Sequence, residues 1–257
     1  MTTDVEVSHA DGVQVLRLVR SAKKNALTGP MYAALCDAIE KGDADRSVSA
    51  HIITGSDGIF TAGNDLGDFL GTARGTGNLG PDVLRFIHLL PTVRKPLIAA
   101  VDGLAIGIGT TMLFHCDLVY ATPASKFATP FLDLGVIPEA ASSLLMTRRM
   151  GYVKAFEMLA LGETLTAEQA CQAGFVNKVV PSSQAEAAAM DAAHRLAAKP
   201  PEALAITRQL MRGDPSEILM RTDAEVIAFR ERLKSPEALE AFTAFFEKRA
   251  PNFRKPV

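Results

Sequence analysis

The chain has 257 residues, 48% hydrophobic and 22% charged, and a formal net charge of -2 at pH 7. These numbers fit a globular chain with a sizeable core, either one large domain or one domain with a smaller appendage. They exclude an electrostatic footprint for nucleic acid or anionic lipid.

The period-two alternation of "VEV" and "VQVLRLV" (Val13–Val19) around Asp11-Gly12 predicts a β-hairpin at the N-terminus. This acidic, alternating start resembles neither a signal peptide nor a transit peptide. "GPMYAALCDAIEKGDAD" follows, with Met31, Leu35, Ala38 and Ile39 at helical spacing. "SAHIITG" (Ser49–Gly55), "PLIAAVDG" (Pro96–Gly103), "CDLVYAT" (Cys116–Thr122) and "FVNKVV" (Phe175–Val180) predict short apolar strands. The Gly-dense stretch Gly67–Asp82 predicts a surface loop, with a flap beside a site as its functional alternative.

Strand and helix alternate as far as residue 180, which predicts an α/β architecture. Beyond it, Ala-, Glu- and Arg-rich helical patterns broken by proline predict a helical tail. The expected division is a core over 1–195 and a helical C-terminal part over 196–257. No apolar run reaches the ~18–20 residues of a membrane span. Cys36, Cys116 and Cys171 lie far apart, in no metal-ligand spacing. The expectation is a cytoplasmic chain with reduced thiols and no metal.

The run "DGLAIGIGTTM" (Asp102–Met112) fits neither the dinucleotide nor the P-loop template. It offers a strand, a Gly-permitted turn and an apolar helix whose first N–H groups lack intrahelical acceptors. "FTAGNDL" (Phe60–Leu66) follows "HIITG" in the same manner. Two such turns on neighbouring strands can aim two N–H groups at one oxygen, although glycines at strand ends mostly just permit a tight turn. There is no G-x-S-x-G elbow. His9, His51, His88, His115 and His194 show no i, i+4 pairing with a carboxylate. "RSAKKNAL" clusters Arg20, Lys23 and Lys24, a solvated run or a partner for a phosphate-bearing ligand.

Glu139 is the one ionisable residue between Leu134 and Thr147. Pro138 and Glu139 have the pattern of a helix start, where a capping carboxylate would have its pKa lowered. A general base in an apolar pocket would have its pKa raised by desolvation instead. Sequence leaves both roles open.

In this order, "KNAL", "ITGSDGIFTAGNDL", "AAVDGLAIGIGTTMLFHCDLVYA", "FATPFLDLGVIPEAASS", "LTAEQACQAGFVNKVV" and "FFEKRAPNF" resemble the crotonase superfamily, the enoyl-CoA hydratase/isomerase group. The resemblance runs from about Val5 to Phe253. It implies ββα repeats wound into a spiral, a helical C-terminal part for trimerisation or as a lid, and assembly as trimers or dimers of trimers. It implies an acyl-CoA thioester substrate, with coenzyme A as part of that substrate and no tightly bound cofactor. The backbone N–H groups of Asn64 and Ile108 would hold the thioester oxygen. Lys24, Asn25, Ala26, Ala62, Asp65 and Leu66 would surround the nucleotide and pantetheine, with charge added by Lys248 and Arg249. Acyl length would depend on Phe69, Leu70, Leu90 and the C-terminal helices.

The family hydratases' two glutamates fall on Thr111 and Phe131, neither of which is a carboxylate base. Glu139 falls where the similar peroxisomal-type delta-3,delta-2-enoyl-CoA isomerases keep a single catalytic glutamate, with Ala140 in place of their following glycine. The resemblance therefore implies an isomerase of fatty acid metabolism that moves a C3–C4 double bond to C2–C3. One carboxylate would act as base and then as acid, within a dry wall of Phe131, Leu134 and Ile137. The alternatives are hydration or another crotonase-type reaction, with Asp68 and Asp133 as the nearest spare carboxylates, and a non-catalytic acyl-CoA binder.

Overall fold

The predicted hairpin forms: in a computed structural model describing residues 4–67 and 80–253, β1 (Val5–Ala10) and β2 (Val13–Leu18) pair antiparallel. Asp11 and Gly12 turn the chain at positive φ. The helical spacing that follows folds as α1 (Gly29–Ala44), started by a proline in its first turn and burying Met31, Tyr32, Leu35 and Ile39. The apolar strands β3 (Ala50–Thr54), β4 (Leu97–Val101), β6 (Leu118–Ala121) and β9 (Lys178–Val179) extend the hairpin in parallel, in the order β1-β2-β3-β4-β6-β9. Every residue of β3 and β4 is buried, because both faces of this sheet are covered.

The faces separate by alternation. Val15, Ile52, Ile98 and Ala100 meet Ala185, Ala189, Ala192 and Ala193 of the helix Ala185–Ala197. Leu16, Leu18, Ile53, Ala99 and Val101 point into the main core.

A second sheet, β5 (Leu104–Ile106), β7 (Lys126–Ala128) and β8 (Leu165–Thr166), is absent from the sequence reading. Strands of two or three residues are too short for alternation to register. After β4 and again after β6 the chain bends sharply to give its next strand to this small sheet. At the first bend stands Gly103, with φ +73°, where a Cβ would lie 1.9 Å from the Gly58 carbonyl oxygen.

These bends stitch the two Gly-bearing turns together. Thr61 N–H donates to Leu104 O (2.8 Å), and Ile106 N–H donates to Thr61 O (3.0 Å). On the other side Ala62 N–H reaches Lys24 O (2.9 Å), Leu27 N–H reaches Gly63 O (2.8 Å) and Asp65 N–H reaches Leu27 O (3.0 Å).

The tail is helical, as expected. The helix Pro201–Arg212 buries none of its residues, and Arg208 and Arg212 tie it to Asp117. The helices Ser216–Leu233 and Pro236–Phe246 fold back over the main core through Val226, Phe229, Leu233, Ala238 and Phe242. No helix among the described residues is long and apolar enough to cross a membrane. Cys36, Cys116 and Cys171 are free thiols, and burial pushes Cys36 and Cys116 up to about 12.

Gly63 joins the two turns at φ +87°, where a Cβ would approach Ile106 O to 2.7 Å. Gly63→Ala is therefore expected to lower unfolding free energy by about 1–3 kcal/mol. Urea denaturation at an unchanged m-value is the measurement.

Candidate active site

The stitching described above leaves amides without backbone acceptors at both turns. Gly107 N–H is used by Ala128 O (2.9 Å), and the N–H groups of Thr110 and Thr111 both turn back to Gly107 O (2.9 and 3.0 Å). Ile108 opens the short helix Ile108–Thr111, so its N–H has no intrahelical acceptor. Among the described residues, neither Ile108 N–H nor Asn64 N–H meets a backbone acceptor. The family resemblance implies these two donors, and the Thr61–Ala105 bridge sets their turns side by side.

The Asn64 side chain is also engaged. Its Oδ1 accepts a hydrogen bond from the Tyr32 hydroxyl at 2.5 Å. Tyr32 is fully buried on α1, with its ring 5.2 Å from that of Phe86. Burial and then the Glu139 charge hold its phenol well above the ordinary tyrosine range. Tyr32, Asn64 and Glu139 thus share one neighbourhood.

Glu139 is 7% exposed. Burial pushes its carboxyl up to about 8, a hydrogen bond from Thr111 opposes the shift, and the Glu225 charge adds to it. Thr111 Oγ1 donates to Glu139 Oε1 at 2.5 Å; Oε2 has no partner among the described residues. Phe131, Val136 and Ala140 are buried in the surrounding core, and Leu134 and Ile137 pack against it.

The expected helix start is displaced. The helix runs Ser142–Met150, not from Pro138, and Glu139 lies before it. Two consecutive alanines, Ala140 (φ +55°) and Ala141 (φ +56°), occupy the left-handed region in between. Glu139 therefore does not cap this helix; a different carboxylate does. Glu225, reaching across from the helix Ser216–Leu233, accepts from Ala141 N–H (2.7 Å), Ser143 N–H (3.1 Å) and Ser143 Oγ (2.5 Å). With the helix end satisfied by Glu225, the Glu139 carboxyl turns instead to Thr111 within the buried interior. On the other side of the turn, His115 Nε2 donates to Ala140 O (2.8 Å). Burial holds the His115 ring neutral, with its pKa lowered to about 4.

The residues expected around coenzyme A gather on one patch, organised by Arg20. Its guanidinium donates to Ala26 O (2.9 Å) and pairs with Asp65 Oδ2 (2.9 Å). Asn25 is completely buried. Its Oδ1 accepts from Arg20 N–H (2.8 Å) and its Nδ2 donates to Ile59 O (2.8 Å), so its side chain holds the turn. Lys24 is exposed at φ +52°, Ala62 is half-buried beside it, and Leu66 packs on the core. Lys248 is exposed, and Arg249 pairs with Glu240 and Glu247 at the end of the last helix. Asp133 is exposed and Leu90 is buried in the core; Asp68, Phe69 and Leu70 lie outside the described residues.

Sequence reasoning missed Tyr32, His115 and Glu225, and saw Thr111 only as a missing carboxylate. Each acts on a group far along the chain, so no local spacing marks it.

Residues 8–256 match the family model for enoyl-CoA hydratase/isomerase. The chain is 35% identical over 244 residues to enoyl-CoA delta isomerase 2 of Rattus norvegicus, covering 93% of this chain and 62% of that protein. It therefore spans less than two thirds of the rat protein's length. It is 32% identical over 253 residues to 2,3-dehydroadipyl-CoA hydratase of Escherichia coli, covering 98% and 99% of the two chains. Among solved structures, Pseudomonas aeruginosa OdaA superposes with a TM-score of 0.91 at 40% identity, covering 95% of this chain and 99% of that one. The names of these relatives include both an isomerase and a hydratase. The ordered motifs, the two-sheet α/β fold with its helical tail and the family match agree: this chain belongs to the enoyl-CoA hydratase/isomerase family of the crotonase superfamily.

Proposed function

We propose that the protein is an enoyl-CoA isomerase that moves a C3–C4 double bond to C2–C3, with Glu139 carrying the proton. The observation that carries this reading is one buried carboxyl, pushed up to about 8, with one oxygen held by Thr111 and the other without a partner among the described residues. A desolvated carboxylate is a stronger base than one in water. It is therefore suited to taking a weakly acidic proton from the carbon beside a thioester.

Removing that proton places negative charge on the thioester oxygen. The N–H groups of Asn64 and Ile108 would stabilise the enolate, and losing one such donor typically raises a barrier by about 3–4 kcal/mol. Glu139, now protonated, returns the proton at C4, so the reaction needs no water and no second base. The wall of Phe131, Leu134 and Ile137 would keep water from adding to the product.

Hydration would need a second carboxylate to hold a water molecule, and Thr111 and Phe131 supply none. Glu225 accepts hydrogen bonds from the protein through both of its oxygens. Coenzyme A would lie along Lys24, Asn25, Ala26, Ala62, Asp65 and Leu66, with Lys248 and Arg249 adding charge, in a cytoplasmic role in fatty acid metabolism. Self-association as a trimer or a dimer of trimers is supported by exposed Tyr152, Val153, Phe156 and Leu161 and by Ile206, Leu210 and Met211. The 196–257 part would serve trimerisation or act as a lid over the 1–195 core.

With a 3-enoyl-CoA, Glu139→Gln is expected to cut the rate of 2-enoyl-CoA formation by about 10²–10⁴-fold. Equal rates would remove Glu139 from the mechanism, and robust hydration of a 2-enoyl-CoA would reassign the reaction. Because the base must be ionised, kcat/KM should climb tenfold per pH unit and level off near the Glu139 pKa of about 8. A flat profile between pH 6 and 8 contradicts the assignment. Analytical ultracentrifugation should return a mass of three or six chains of 27.4 kDa; a monomer at micromolar concentration overturns the assembly.

A further inference from the structure

Two consecutive left-handed alanines are costly, since each non-glycine residue in that region is disfavoured. Ala140 and Ala141 nevertheless stand there, directly after Glu139 and fully buried. Something must hold them.

His115 holds the Ala140 carbonyl, and Glu225 holds the next two available amides through both of its oxygens. The Ser143 hydroxyl accepts from Arg221 Nη1 (3.2 Å) and so gives its own proton to Glu225 Oε1 (2.5 Å). All three donors point at Glu225, and both of its oxygens act as acceptors. This geometry fits the ionised form, although the carboxylate is only 5% exposed.

We propose that Glu225 is the positioning residue for Glu139: from the helix Ser216–Leu233 it clamps the Ala140–Ala141 turn and so keeps the Glu139 carboxyl buried in apolar surroundings beside Thr111. The kinetic part rests on the isomerase reading; the structural part does not. Burial raises the pKa of Glu225 itself, against the hydrogen bonds from Ser143 and Ala141 N–H and the Arg221 charge; in its ionised form the clamp sets a negative charge near Glu139. The titratable and charged groups around the two carboxyls are Tyr32 on α1, His115 on the turn after Ile108–Thr111 and Arg221 on Glu225's own helix. His115 is neutral, and the Tyr32 hydroxyl keeps its proton and donates a hydrogen bond to Asn64 Oδ1. The Glu225 charge therefore raises the proton affinity of Glu139.

The test compares wild type with Glu225→Gln, whose amide must turn an N–H toward one of the two backbone donors, and with the milder Ser143→Ala. In ¹³C-Glu-labelled protein the Glu139 carboxyl is assigned by its loss in Glu139→Gln and titrated directly. Its midpoint should fall in Glu225→Gln. With a 3-enoyl-CoA, kcat should drop about tenfold or more while KM moves less than about twofold. The Ser143→Ala effects should be smaller and in the same direction. Adding Ala141→Gly, which removes the left-handed penalty, should restore part of kcat in Glu225→Gln.

Folded variants with an unchanged Glu139 midpoint and unchanged kcat overturn the proposal, as does a lowered kcat that Ala141→Gly does not lift. If wild type turns over no enoyl-CoA, the isomerase reading fails, and the carboxyl titration alone still decides whether Glu225 governs Glu139.

Discussion

Removal of water from the Glu139 carboxyl is the constraint around which the rest of the site is arranged. An isolated carboxylate in apolar surroundings is costly, and a protein normally meets that cost by pairing the charge or by keeping the proton. Here no cation faces Glu139 among the described residues, and the single bond from Thr111 offsets the desolvation only in part. The group therefore holds its proton to about pH 8. Two devices keep it inside. One is the left-handed alanine pair, which turns the chain before the helix Ser142–Met150 begins; the other is Glu225, which takes the helix amides that Glu139 would otherwise have capped.

The second half of the site depends on backbone, not side chains. Hydrogen bonding consumes most amides of the two Gly-bearing turns, through Leu104, Thr61, Lys24, Ala128 and Gly107, and Asn64 N–H and Ile108 N–H are among those without a backbone acceptor among the described residues. A small sheet of very short strands makes this possible by holding the second turn against Thr61. Under the proposed reaction, donors fixed in this way would need no reorganisation as charge develops in front of them, which is what gives preorganised dipoles their effect. Tyr32 extends the order one step further, by fixing the side chain of Asn64.

Much of this was legible in the sequence, and what was not has a physical reason. The hairpin, α1 and the parallel strands announce themselves by period, and the helical tail by composition and proline breaks. The small sheet does not, because two residues such as Leu165 and Thr166 carry no period. The strand-turn-helix character of Phe60–Leu66 and Asp102–Met112 marked two Gly-bearing turns but fitted plain tight turns as well; the choice of Asn64 and Ile108 came from the family resemblance. The role of Glu139 stayed ambiguous, because proline followed by glutamate is what a helix start ordinarily looks like. Setting aside the cap needed Glu225, which sits 84 positions beyond Ala141 in a helix whose pattern says only that it is amphipathic. Thr111 shows the same limit: the sequence records that a carboxylate is missing there, but not that its hydroxyl meets Glu139.

Asn25 carries a different consequence. Every polar group of this buried residue is committed: its side chain to Arg20 and Ile59, its N–H to Arg20 O, its carbonyl to Thr61 Oγ1. The segment from Arg20 to Leu27 is thus frozen by internal bonds before any ligand arrives. A surface already locked in shape gives up little freedom when something settles on it. Coenzyme A, if bound along this edge as proposed, would meet a finished mould, with selectivity set by shape rather than by rearrangement.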